Sequence, residues 1–88
     1  IRAVASHAEF VSAIHPSAQI GRNVQIGQGV AIMAGAVINS NSEVGDFAII
    51  NTRAGLDHDC KMKPYSSLAP GATVGGSVMI GEFSAISL

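Results

Sequence analysis

The sequence predicts an all-β fold in which very short strands coil around one axis. Three features repeat every six residues: a large aliphatic residue, a small side chain two positions before it, and two corner residues after it. Residues two apart in a strand face the same side, so the small and large side chains share one interior. The large positions are Ile14, Ile20, Ile26, Ile32, Ile38, Val44, Ile50, Leu56, Met62, Leu68, Val74, Ile80 and Ile86.

The two residues after each strand supply the predicted corners, from Pro16-Ser17 to Glu82-Phe83. All three prolines stand at the first corner position, where a fixed φ suits a turn and no ladder N–H is needed. In five repeats a glycine separates the large inward residue from the corner, and its backbone freedom is expected to ease the bend. These glycines are Gly21, Gly27, Gly45, Gly75 and Gly81.

Three six-residue segments close one triangular coil, and successive coils stack at a strand spacing of about 4.8 Å. Residues 14–88 then form about four coils, and residues 1–13 are predicted to be a lead-in or cap. Phe47, Tyr65 and Phe83 recur at intervals of one full coil, so we expect them to stack along one edge and to pack in a subunit interface.

The composition of the chain argues against several classes of function. With 5 basic against 6 acidic residues and no basic run, the chain has no electrostatic footprint for nucleic acid or an anionic membrane. No apolar run is long enough to span a membrane, and one cysteine forms no internal disulfide, so a cytoplasmic location is expected. A chain of 88 residues buries a modest fraction of its surface, so a further source of stability is expected, such as repetition or oligomerisation.

The segment "NTRAGLDHDCKMKPYSSLAPGA", residues 51–72, concentrates the candidate chemistry. The phase puts Cys60 at a small inward position, where it is predicted to fill the core rather than act as a nucleophile. His58 falls on a first corner position and faces out. By spacing alone it is either an ordinary surface residue or a general base, with Asp59 or Asp57 to hold its tautomer. His7, His15 and His58 are spread too widely to converge on one zinc ion.

The motifs "IMAGAVIN", "DHDC" and "APGA…GG", in this order within "IHPSAQIG…", resemble the hexapeptide-repeat acyltransferases, most closely the NeuD/PglD-like sugar acetyltransferases. The resemblance covers about residues 14–88. It implies a left-handed parallel β-helix and a homotrimer in which acetyl-CoA lies between neighbouring β-helices. The implied acceptor is an amine or hydroxyl of a sugar or sugar nucleotide, and no metal is expected.

The resemblance also implies residue roles. His58 would be the general base and Asp59 its acidic partner, while Asn51 and Ser67 would line the site and Gly76 would let the coenzyme approach the backbone. Ser67 stands where relatives usually carry a histidine. Relatives also have an N-terminal sugar-nucleotide domain and further coils, so the alternative expectation is a truncated trimeric scaffold with weak or no activity.

Overall fold

The computed structural model describes residues 11–87; residues 1–10, with His7 and most of the predicted lead-in, and residue 88 lie outside them. Each six-residue repeat contributes one strand of two residues. The strands are β1 Ala13–Ile14, β2 Gln19–Ile20, β3 Gln25–Ile26, β4 Ala31–Ile32, β5 Val37–Ile38, β6 Glu43–Val44, β7 Ile49–Ile50, β8 Gly55–Leu56, β9 Lys61–Met62, β10 Ser67–Leu68, β11 Thr73–Val74, β12 Met79–Ile80 and β13 Ala85–Ile86.

These strands form three parallel sheets, which are the three sides of a prism. Sheet 1 has the order β1-β4-β7-β10-β13, sheet 2 contains β2-β5-β8-β11, and sheet 3 contains β3-β6-β9-β12. Each strand pairs with the strand three repeats further on, as Ile32 does with Ile50. The fold is the left-handed parallel β-helix of about four coils that the repeat and the resemblance together predicted.

The core is a column of the large and small inward residues. Ile32, Ile38, Ile50 and Leu56 are at most 1% exposed, and Cys60 is fully buried beside them, which confirms its predicted place. The first coil is different, because Ile14 and Ile20 face in the same way but stay 45% and 39% exposed. The middle coils are therefore shielded on both sides by neighbouring coils, whereas the first described coil is not.

The corners fall where the sequence predicted them and form three edges. The histidine edge contains corners 22–23, 40–41, 58–59 and 76–77; the aromatic edge contains corners 28–29, 46–47, 64–65 and 82–83; the third edge contains corners 16–17, 34–35, 52–53 and 70–71. From corner 22–23 upward, the second residue of each corner has a positive φ of 56–74°. At corners 40–41 to 76–77 its N–H donates to a carbonyl of the coil below, as Asp59 N does to Ser40 O at 2.9 Å.

For three of the five glycines between strand and corner, the expected mechanism was wrong. None of Gly21, Gly27 and Gly45 has a positive φ. A Cβ atom at Gly21 would lie 2.9 Å from Ser40 N, and one at Gly45 would lie 2.6 Å from Pro64 N. These glycines give room for the next coil to approach, and the left-handed backbone is needed two residues later.

The aromatic edge carries the predicted stack. The ring centroids of Phe47 and Tyr65 are 5.3 Å apart, as are those of Tyr65 and Phe83, and the rings are within 16° of parallel. The stack begins above Gly29, where an added Cβ would lie 2.6 Å from the Phe47 ring. Phe83 is 76% exposed and Tyr65 is 52% exposed, so within one chain the stack lies open to solvent.

Candidate functional site

His58 and Asp59 form the corner that follows β8 on the histidine edge. The His58 Nδ1 atom lies 2.9 Å from Asp59 Oδ2, and both side chains are more than half exposed. An ionised carboxylate only accepts hydrogen bonds, so Nδ1 of the neutral ring must carry the proton. The free lone pair is therefore on Nε2, which is the atom that would act as a base. Of the two predicted carboxylates, Asp59 is the one that holds the tautomer.

The same contact makes the imidazole more basic. The hydrogen bond to Asp59 is the largest cause of a His58 pKa raised above 6.5, and the negative charges of Asp57 and Asp59 add to it. Loss of hydration acts in the opposite direction without cancelling these effects. A raised pKa makes the neutral imidazole a stronger base toward an acceptor group that must lose a proton.

Asp57, the residue just before this corner, holds the corner backbone in place with its side chain. Asp57 Oδ1 accepts a hydrogen bond from the His58 N–H at 2.8 Å and another from Asn39 Nδ2 at 3.0 Å. Beneath the corner, the buried Ser42 hydroxyl donates to Asp57 O at 2.7 Å and accepts from Cys60 N at 3.1 Å. The corner is thus bonded to the coil below on both its outer and its inner side.

Gly76, one coil above, lies directly against the imidazole. A Cβ atom at this position would be 2.5 Å from His58 Nε2 and 2.8 Å from its Cε1. The N–H of Ser77 completes the contact by donating to His58 O at 2.9 Å. Gly76 therefore accommodates the His58 ring. Its predicted role in coenzyme approach stays a prediction.

Asn51 and Ser67 lie on other sides of the prism. Asn51 precedes a corner of the third edge, and its Oδ1 accepts the Thr52 N–H at 2.9 Å. Ser67 is on β10 in sheet 1, paired with Ile49 and Ala85. Strand β8 of sheet 2 separates the Asn51 corner from the His58 corner along the chain. Within one chain these two predicted site residues are not brought to the histidine.

A shallow groove of about 190 Å³ runs along sheet 2 beside this corner. Gly55 forms its floor because it has no side chain, while Val37 and Thr73 form its walls in the coils below and above. Its polar end is formed by Asn39 and Asp57, next to His58. The groove therefore places an apolar surface and a carboxylate beside the candidate base.

Cys60 and the other described histidine are separate from this chemistry. The Cys60 thiol donates to Gly75 O at 3.0 Å inside the core. His15 lies beside the third edge, and its Nδ1 accepts the Ser17 N–H at 3.0 Å. In residues 11–87 no group of three or more histidine, cysteine, aspartate and glutamate side chains is placed to share a metal ion.

Sequence reasoning missed Asn39 and Ser42. Each lies one full coil before a member of the segment from Asp57 to Cys60: Asn39 below Asp57, and Ser42 below Cys60. The offset of one coil is the one signal that points to them, because it gives the neighbour in the adjacent coil. The polar character of Asn39 and Ser42 does not by itself point to them, since the corners carry many polar side chains.

Comparisons with known proteins show that this chain is similar to bacterial transferases built from six-residue repeats. Residues 17–52 match the family described as bacterial transferase hexapeptide (six repeats). The chain is 32% identical over 74 residues to the GDP-perosamine N-acetyltransferase of Escherichia coli O157:H7, an alignment that covers 84% of this chain and 34% of that protein.

Two solved structures are also similar. The acetyltransferase domain of PglB from Neisseria gonorrhoeae superposes with a TM-score of 0.85 at 39% identity, over 88% of this chain and 38% of that one. A histidine-to-alanine mutant of GDP-perosamine N-acetyltransferase from Caulobacter crescentus, in complex with CoA and GDP-perosamine, gives a TM-score of 0.68 at 41% identity, over 92% and 48%.

The repeat, the fold and these similarities define a hexapeptide-repeat β-helix of the bacterial transferase type. Within that class, the chain is similar to GDP-perosamine N-acetyltransferases and to the acetyltransferase domain of PglB, each of which it matches over part of its length. It spans about a third to a half of the length of the relatives it matches. No helix among the described residues is long and apolar enough to cross a membrane.

Proposed function

We propose that this β-helix catalyses acetyl transfer from acetyl-CoA to the amine or hydroxyl of a sugar or sugar nucleotide, with His58 as general base. The observation that carries the proposal is the His58–Asp59 contact, which leaves Nε2 unprotonated on an exposed corner. Relatives that are sugar N-acetyltransferases, one of them solved with CoA and GDP-perosamine, support this choice of donor and acceptor. Use of acetyl-CoA fits a cytoplasmic enzyme.

The reaction needs one base and no covalent enzyme intermediate. As an acceptor amine attacks the thioester carbonyl, a C–N bond forms and His58 Nε2 takes the amine proton. Asp59, hydrogen-bonded to Nδ1–H, stabilises the imidazolium that results. The C–S bond then breaks, and the proton on Nε2 passes to the departing CoA thiolate. A hydroxyl acceptor follows the same course with a C–O bond.

The site is proposed to be completed by a second copy of the chain in a homotrimer. The placement of Asn51 and Ser67 on other sides of the prism from His58 supports this, because a neighbour can bring its own copies to the histidine edge. The exposed aromatic stack and Ile49, 40% exposed on sheet 1, are apolar surfaces suited to such packing. Light scattering should give a mass three times that of the 9.0 kDa chain.

The roles of Asn51, Ser67 and Gly76 toward the substrates follow from that assembly. Asn51 and Ser67 are proposed to line the site from the neighbouring copy, and Gly76 is proposed to let the coenzyme approach the backbone beside His58. Ser67 is a smaller group than the histidine of relatives. Ser67→His is therefore expected to lower the KM for acetyl-CoA, measured with the acceptor held constant.

The decisive experiment is a thiol-release assay with acetyl-CoA and a panel of amino and hydroxy sugars and their nucleotides, including GDP-perosamine. His58→Ala should lower kcat by about 10²–10⁴-fold. His15→Ala is the matched control, because it removes an exposed histidine from a different corner and should leave kcat unchanged. Activity that survives His58→Ala would contradict the assignment of the base.

The second candidate is a trimeric scaffold without turnover. The observation that favours it is Ser67 on β10, which stands where relatives usually carry a histidine. Under this reading a trimer forms but neither coenzyme binding nor thiol release is found with any acceptor. Isothermal titration with CoA separates the two, since the enzyme must bind it and the scaffold need not.

A further inference from the structure

The corner that carries His58 is bonded to the coil below by hydrogen bonds of two kinds. The first kind fixes the backbone and includes the two bonds made by the Ser42 hydroxyl and the bond from Asp59 N to Ser40 O at 2.9 Å. The second kind joins two side chains. Asn39 Nδ2 donates to a carboxylate oxygen of Asp57 at 3.0 Å, from one coil to the next, on the outside of the prism.

That carboxylate oxygen accepts two hydrogen bonds. Asp57 Oδ1 lies 2.8 Å from the His58 N–H and 3.0 Å from Asn39 Nδ2, so one bond comes from its own corner and one from the adjacent coil. Two donors on one oxygen fix the direction in which the carboxylate points. Without Asn39, the bond to the His58 N–H alone would let the carboxylate turn into the groove beside Gly55.

The charge of Asp57 matters because few charges surround the imidazole. On the same corner the charged neighbours are Asp57 and Asp59. The coil below presents the uncharged residues 39–41, and the coil above presents the uncharged residues 75–77. Asp59 is bonded directly to the ring, whereas Asp57 acts on it through space, so its effect depends on where its carboxylate is held.

We propose that Asn39 is a positioning residue for His58: it holds the Asp57 carboxylate in place, and that carboxylate orients the corner through its bond to the His58 N–H. Asn39 does not touch the reacting atoms. Its effect on catalysis rests on the proposed function of His58, but its effect on the imidazole does not.

The test is the titration of the His58 imidazole by NMR in the full chain. In Asn39→Ala the freed carboxylate should favour the imidazolium less, and the pKa of His58 should fall. In Asp57→Asn, which removes the charge that Asn39 is proposed to position, the pKa should also fall, and adding Asn39→Ala to that variant should cause no further fall. A loss of packing at position 39 would lower the pKa equally with and without the Asp57 charge.

Activity gives the second measurement. Asn39→Ala should lower kcat about tenfold with both KM values unchanged, because it disturbs the base and not the substrate surfaces. Ser17→Ala is the control, since it removes another exposed bond between adjacent coils, from Gly35 N to Ser17 Oγ at 3.0 Å, on a different edge from His58. It should leave the His58 titration and kcat unchanged.

Three results would overturn the proposal. One is a His58 titration in Asn39→Ala that matches the wild type, including the case in which the melting temperature falls. Another is a double variant, Asn39→Ala with Asp57→Asn, whose His58 pKa lies clearly below that of Asp57→Asn alone. The third is an equal effect of Ser17→Ala. If His58→Ala retains activity, the proposed function fails, but the titration still decides whether Asn39 acts on His58.

Discussion

The histidine edge and the aromatic edge have the same backbone and opposite surfaces. On both, the second corner residue adopts a left-handed φ and donates its N–H to the coil below, as Asp59 does to Ser40 O and Tyr65 does to Asp46 O. One edge uses this corner to display a histidine that is hydrogen-bonded to an aspartate, and the other stacks three aromatic rings. The repeat therefore fixes where side chains stand and leaves their chemistry free, so each edge can be altered with the other as a control.

Among substitutions that keep His58, the largest effect is expected from Gly76→Ala on the histidine edge. The new Cβ would lie 2.5 Å from His58 Nε2, so the ring must move. A displacement of about 1 Å at a catalytic group lowers kcat by about 100-fold, or about 2.7 kcal/mol. Kinetics with acetyl-CoA and an active acceptor measure it.

Gly75→Ala is the matched control for that substitution. An added Cβ at Gly75 meets no atom within 4 Å, so kcat should stay within about twofold of the wild type. Equal losses in the two variants would show that the corner backbone, and not contact with the imidazole, is responsible.

Tyr65→Asn places on the aromatic edge the residue that Asn23 and Asn41 supply on the histidine edge. Asparagine tolerates the left-handed φ of 64°, so the change removes two ring contacts without adding backbone strain. Each stacked pair contributes about 0.5–1.5 kcal/mol, and the free energy of unfolding should fall by about 1–3 kcal/mol in chemical denaturation. Phe83→Asn removes one contact and should have about half the effect; an equal effect of both would argue against stacking as the cause.

Asp59→Asn removes the main cause of the raised His58 pKa. The base must be neutral, so a raised pKa sets the acid limb of kcat/KM above the ordinary value of 6.5, and the variant should move that limb to lower pH. At a pH well above the limb, kcat should fall about tenfold because the imidazolium loses its partner. A pH–rate profile that does not move would contradict the role of Asp59.

The free energy of unfolding should also depend on pH because of His58. The pKa of His58 in the folded chain lies above the unfolded value of 6.5. The contribution of protonated His58 to the free energy of unfolding is therefore complete below pH 6.5 and is lost as pH rises through the folded pKa. Asp59→Asn should flatten this dependence. Denaturant midpoints across the pH range give the comparison.

Cys60→Ser is expected to have the smallest effect. Ser42 occupies the equivalent inward position one coil below, and its hydroxyl donates to Asp57 O just as the Cys60 thiol donates to Gly75 O. A serine can make the same bond, so the free energy of unfolding should change by less than about 1 kcal/mol. Cys60→Ala, which cannot donate, should be less stable than Cys60→Ser; the reverse order would contradict the role of the bond.

Much of this architecture could be predicted from the sequence because the period is regular. The thirteen strands, the corners, the inward Cys60 and the aromatic stack all follow from a position within one repeat or within one coil of three repeats. The physical reasons for individual residues could not be predicted from the period. The sequence suggested that Gly45 eased its own bend, whereas the structure shows that the approach of Pro64 in the next coil requires it.

The candidate site shows the same limit. The position of His58 within the repeat predicts that its side chain faces outward. Whether Asp57 or Asp59 bonds to Nδ1 depends on side-chain rotamers, and the structure shows Asp59. The contact of Gly76 with the imidazole and the bond of Asn39 to Asp57 are made between coils. The phase identifies which residues are neighbours across coils, but it does not tell which of them bond.

The aromatic stack also has an optical consequence. The sequence has one tyrosine and no tryptophan, so Tyr65 dominates both the near-ultraviolet absorbance and the intrinsic fluorescence of the chain. It is held between two phenylalanine rings and half exposed on an edge away from His58. Its emission and its accessibility to a soluble quencher therefore report whether the aromatic edge is covered, with no label attached and without a signal from the corner that carries His58.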